Sequence, residues 1–317
     1  MRARRGERNR PPSRRKRKES KLLFPGTALH AIFESATALE RAEASARVLA
    51  ARAAGHAGAP RAFAELAAIA PEGLIPTPGR GAAHVARQVE RAADVASEAR
   101  PLLGDEIVDA VEWAAGMTRR IASTSDALDP AGAARAARRG IATVRGLVAG
   151  TVDRDERWEA FRLGTHLPRA AWVSALVRAA ASVVHQTGSP EAWRVAAAVT
   201  GLDAERPDVP ERLLSDRTAV VTAAFAISEA EASLLALQRH RQVGIAALPL
   251  AREAQTRLRE AVRQLADKQG IEEAMDGLLD AVGALAGAID PRVAEPGTSP
   301  FPGLRRPLPR TGAPSLA

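Results

Sequence analysis

From residue 27 onward the spacing of apolar positions follows the helical repeat, and no stretch alternates with the two-residue period of a strand. Leu29, Ile32, Phe33, Ala36 and Leu39 form one apolar arc, which predicts a first helix over 28–54. A Gly/Pro break at 55–60, a short helix over 61–70 and a Pro/Gly-rich loop at 71–82 follow. Further helices are expected over 83–100, 105–125 and 131–149, with Pro101 and Gly104 breaking the first from the second. The longest uninterrupted pattern runs from Thr151 to Gln186. Leu163, Leu167, Ala170, Ser174, Val177, Ala181 and Val184 make one stripe, while Trp158, Phe161 and Trp172 lie on other faces. A helix apolar on several faces belongs inside a bundle. Asp153 and Glu156, three apart, read as a capping box for it. Pro168 removes the N–H that would bond the Gly164 carbonyl, which predicts a kink there, beside Arg169. A helix over 190–200, a long one over 212–247 and a final antiparallel pair, 250–268 and 271–289 about Gly270, complete the pattern.

Composition narrows this to an all-α chain. Apolar residues make up 46% but aromatics only 3%, and much of the apolar share is alanine, a strong helix former that fills little core volume. Closely approaching helices with thin side-chain layers follow. The expected organisation is a disordered basic arm, 1–21, one multi-helix antiparallel bundle-like domain, 22–290, and a disordered Pro/Gly-rich tail, 291–317.

Charge changes the picture in one place. Residues 1–21 hold eight Arg and three Lys against two Glu, a sum of +9. The whole chain carries +8, which leaves −1 for the other residues. An arm of this kind suits nucleic acid or anionic lipid, and the body offers no matching basic character. The arm has no aromatic residues for base stacking.

The chemistry on offer is sparse. With no cysteine, disulfides, thiolate metal sites and a cysteine nucleophile are excluded. The six histidines have no His-x3-His or His-Glu-x-x-His spacing, and no Gly-x-Ser-x-Gly elbow is present, so no metal, cofactor or catalytic set is expected. Arg135, Arg138, Arg139 and Arg145 read as a solvated basic face. No apolar run of bilayer length and no hydrophobic segment behind the N-terminal charges is read, which sets a cytoplasmic expectation without membrane insertion. One carboxylate stands out. Glu40 projects into the apolar arc of the first helix and has Ala44, not a cation, four residues on. If buried, it requires a cation from another helix. Arg41 points about 100° away. Glu43 and Arg47 can pair along the helix.

One segment resembles a known family. Asp153, Glu156, Trp158, Phe161, Arg162, Leu163 and Gly164, then Arg169 and Ala170, are similar to the central segment of the alpha-E domain, an all-helical bacterial family named for a Glu-Arg pair. Leu39-Glu40-Arg41-Ala42-Glu43 resembles the family's N-terminal Glu-Arg helix, and the likeness covers most of 28–250. Pro168 stands where the central segment would carry Glu, so Arg169 remains alone. The resemblance implies a helical domain without an established activity of its own. It also implies association with an ATP-grasp-type peptide or amide ligase or a transglutaminase-like protein. Glu40, Arg41, Arg169, Asp153 and Trp158 are the candidate motif or interface residues. Two other readings stay open: an enzyme or small-ligand module with an interior site around Glu40 and Arg41, and nucleic-acid association through residues 1–21.

Overall fold

The computed structural model describes residues 27–55, 59–70, 81–125, 130–241, 245–267 and 270–289. The basic arm, the C-terminal tail and the loop at 71–80 lie outside these. Among the described residues there are twelve helices and no strand. In chain order they are α1 Thr27–Ala54, α2 Ala59–Ile69, α3 Gly81–Glu98, α4 Arg100–Leu103, α5 Asp105–Ser125 and α6 Pro130–Thr151. Then come α7 Glu156–Thr187, α8 Glu191–Thr200, α9 Val209–Ser215, α10 Ala223–Arg241, α11 Leu248–Asp267 and α12 Ile271–Ile289.

α7 is the axis of the molecule. It is buried on every face along most of its length, from Glu159 to Val183, and α1, α10 and α12 all pack on it. α1 in turn contacts α3 and α6, and α5 pairs with α6. The buried apolar side chains of α1 to α12 form one contiguous cluster. By length and composition α7 is apolar enough to cross a membrane, yet 89% of its most apolar window is covered by the protein's other helices.

Small residues set the spacing. A Cβ on Gly164 would collide with the Phe33 carbonyl oxygen of α1 and lie 2.8 Å from the Ala36 Cβ. One on Gly140 would lie 2.5 Å from the Ala114 Cβ. These are the thin layers that an alanine-rich composition implies. Gly164 faces Phe33 and Ala36, and Arg169 and Trp172 farther along α7 reach Glu40 farther along α1. The two helices therefore run in the same sense.

Sequence expectations need correction at several points. The cap of α7 is Asp155, not Asp153: its carboxylate accepts from the Arg157 N–H at 2.8 Å. The Asp155 N–H bonds the Asp153 carbonyl at 2.8 Å, so a tight turn precedes the helix and moves its start two residues on. The long helix expected over 212–247 is divided into α9 and α10. Asp216 causes the division, because its carboxylate accepts from the Thr218 and Ala219 N–H groups at 2.8 and 3.1 Å and holds residues 216–222 in turns. Such side-chain bonding to the local backbone competes with helix. Third, α3 ends before Pro101 as expected, but the break is not irregular: Arg100–Leu103 makes a separate short helix with the proline in its first turn, where a missing N–H costs nothing. Pro168 does not interrupt α7, whose helical conformation continues through it, and Pro168 is buried. Trp113 of α5 is 51% exposed.

Candidate functional site: a buried arginine–glutamate network

The bundle encloses a polar network where α1, α6, α7 and α10 meet. α1 supplies Glu40, Glu43 and Arg47, which share a face at helical spacing. Glu40 is 1% exposed and Arg169 of α7 is 3% exposed. The two form a bidentate pair, Arg169 Nε to Glu40 Oε1 at 2.8 Å and Nη2 to Oε2 at 2.5 Å. The Trp172 indole N–H, one turn along α7, donates to Oε1 at 3.1 Å. Arg145 of α6 donates to Oε2 at 2.5 Å. A carboxylate has about four lone-pair directions, and Glu40 receives four donor contacts.

From this centre the network extends two ways. Arg145 also bonds Glu43, and Glu43 accepts from Arg47 Nε and Nη2 at 2.9 and 2.7 Å. Arg47 reaches the Thr200 carbonyl at the end of α8, 3.2 Å away. In the other direction the remaining Nη of Arg169 donates to the Val220 carbonyl in the 216–222 turn at 3.3 Å. Beyond it along α7, Arg162 pairs with Glu159 at 3.2 Å and with Glu229 of α10. His166 lies between, its Nε2 4.0 Å from Glu229 Oε2 and its ring edge-on to Phe225 at 5.7 Å.

The charges balance. Glu40, Glu43, Glu159 and Glu229 face Arg47, Arg145, Arg162 and Arg169. Burial alone would raise the Glu43 carboxyl, but Arg145, Arg47 and Arg169 outweigh it and hold the group at about 2. Burial works against the charge of Arg169, and Glu40 more than compensates, so its guanidinium is held above the ordinary value. Burial pushes His166 well below the ordinary imidazole range, and Arg169, Arg162 and Arg145 push it the same way. The histidine is therefore neutral at pH 7.

The sequence candidates divide. Glu40 and Arg169 are brought together from positions 129 apart. Arg41 is half-buried on another face of α1. Asp153 and Trp158 lie at the α6–α7 corner: Asp153 is 85% exposed and bonds Arg157 at 3.0 Å, and the Arg154 guanidinium stacks 3.6 Å above the Trp158 ring. Arg145 corrects the expectation of a wholly solvated basic face on α6. Arg135, Arg138 and Arg139 carry little burial, whereas Arg145 is 24% exposed and bonds two glutamates of α1. Its partners are over 100 residues away, so local spacing held no sign of them. His166 and Glu229, more than sixty positions apart, are likewise joined only by the fold. Among the described residues no group of three or more His, Asp or Glu side chains could hold a metal ion.

A family model described as a predicted alpha-helical domain with a conserved ER motif matches residues 78–292, from just before α3 through α12. The chain belongs to the Alpha-E family. The Alpha-E match includes the central segment of α7 and extends farther toward the C-terminus than the likeness read from motifs, but it begins after α1. Arg145, Arg162, His166, Arg169 and Glu229 thus come from the matched Alpha-E region, and Glu40, Glu43 and Arg47 come from the helix that precedes it. No curated protein and no solved structure matches the chain.

Proposed function

We propose that this Alpha-E domain is a non-catalytic helical partner, or scaffold, of an ATP-grasp-type peptide or amide ligase or a transglutaminase-like protein, working in the cytoplasm. The observation that carries the non-catalytic part is the saturation of Glu40. A carboxylate whose lone pairs already meet Arg169, Arg145 and Trp172 has no free direction from which to take a proton or hold a ligand. Its physical effect is to tie α1, α6 and α7 together at fixed registers. The link to a ligase or protease system rests on the family resemblance. Binding then belongs to the surface, where Asp153, the edge of Trp158 and Arg41 are the candidates.

The test is affinity purification at moderate salt of the full chain and of a version without residues 1–21, with mass spectrometry of what is retained. Recovery of one ATP-grasp-like or transglutaminase-like protein by both versions is the expected result. Recovery only by the full chain, abolished by nuclease or salt, would replace this reading with nucleic-acid association through the arm.

A further inference from the structure

His166 has a place in the fold that the ion network does not explain. Its side chain is 12% exposed, and its Nδ1 is buried without a hydrogen-bond partner. It stands at the seam between α7 and α10. Three links cross that seam: Arg162 to Glu229, the edge-on contact of His166 with Phe225, and Arg169 to the Val220 carbonyl in the turn leading into α10. Phe225 and Glu229 are four apart and so share one face of α10. Beside the apolar packing of α10 on α7, the polar and aromatic links of the seam lie on one helix face and one carbonyl, next to the charges around the imidazole.

Those charges come from every element nearby. α7 itself contributes Arg162, Arg169 and Glu159, α6 contributes Arg145, α1 contributes Glu40, Glu43 and Arg47, and α10 contributes Glu229. Four carboxylates and four guanidiniums already cancel. A proton on His166 adds an uncompensated charge in a buried site. Among the described residues Glu229 is the one carboxylate within 4.0 Å of the imidazole, and it is already bonded to Arg162. It cannot neutralise both.

We propose that His166 is an acid-sensitive latch, whose protonation releases α10 and the 216–222 turn from α7 while the remainder of the bundle stays folded. The sign follows from the neutral state being the buried one. The latch is fully closed above the ordinary imidazole value of about 6.5 and weakens as the pH falls below it. Opening exposes the Phe225 face of α10 and frees the Arg169 guanidinium from Val220. The latch stands independently of which partner the domain binds.

Hydrogen exchange of the full-length protein between pH 7.5 and 5, corrected for intrinsic rates, tests it. In peptides covering 216–241 the opening equilibrium is expected to rise by up to about tenfold for each pH unit below 6.5. Peptides of α5 and α6 serve as the internal reference and are expected to change little. His84, whose imidazole burial and Arg87 also depress, sits on α3, away from the seam. His166→Gln should flatten the profile of 216–241. The latch is overturned if the wild-type acceleration is uniform over all helices, if His166→Gln keeps the wild-type slope, or if acid protects α10 because an imidazolium–Glu229 pair forms. Should the variant fail to fold, the region-resolved wild-type profile still separates a local release from a global one.

Discussion

Glu40→Ala is the sharpest probe of the network. The substitution leaves Arg169, 3% exposed, with no carboxylate at its Nε and Nη2, and leaves the buried Trp172 N–H without its acceptor. Arg145 keeps Glu43, so the loss concentrates on Arg169 and Trp172. Removing one member of a buried ion pair costs about 3–5 kcal/mol, most of it the penalty of an uncompensated charge. The unsatisfied indole N–H works in the same direction, but its cost of about 1–3 kcal/mol overlaps the first and is not simply added. Against a total stability of about 5–15 kcal/mol, the variant should remain folded at 25 °C while losing a large share of its margin. At about 2–4 °C per kcal/mol for a domain of this size, the melting temperature should fall by about 6–20 °C. Urea titration followed by far-ultraviolet circular dichroism measures the loss directly. Replacing both Glu40 and Arg169 by leucine provides the decisive comparison. If the single variant is costly because it strands a charge, the double variant recovers much of the lost stability. A loss under about 1 kcal/mol for Glu40→Ala, the value of a solvated pair, would show that the network is not the buried clamp inferred from its geometry.

Two further outcomes follow from packing and charge. Gly164→Ala should destabilise by about 1–3 kcal/mol, since the new methyl meets the Phe33 carbonyl, while Gly146→Ala, with nothing within 4 Å of the added Cβ, should be neutral or stabilising by up to about 1 kcal/mol; urea midpoints of the two variants compare them. Glu43, held at about 2 against an ordinary 4.5, contributes stability that is complete above pH 4.5 and is lost as the pH falls toward 2, amounting to about 3 kcal/mol. Stability measured from pH 5 down to 2.5 should show this slope, and a Glu43→Gln variant with an unchanged slope would contradict the assignment.

Much of the helical layout was legible because it depends on short-range pattern. The apolar arc from Leu29 to Leu39 located α1, the turn at Gly104 and Asp105 located the start of α5, and Gly270, at φ +65°, marked the junction of α11 and α12. The failures occurred where a side chain competes with the helix locally. Asp155 instead of Asp153 capped α7, and Asp216 folded a turn into what reads as continuous helix. Both residues types favour either outcome, and the neighbouring backbone decides.

The candidate site was legible by halves. Sequence alone determined that Glu40 lies in an apolar arc without a local cation, because helical periodicity fixes where a side chain points and i+4 is alanine. It also determined the family segment around α7, since that segment is contiguous. Only the tertiary structure decided that the missing cation is Arg169, that Arg145 leaves its solvated-looking face to bind two glutamates, and that His166 sits neutral against Glu229. Each of these pairings joins residues more than sixty positions apart on different helices. Their choice depends on how closely α1 approaches α7 at Gly164 and on where the 216–222 turn places α10, and no local spacing encodes either distance.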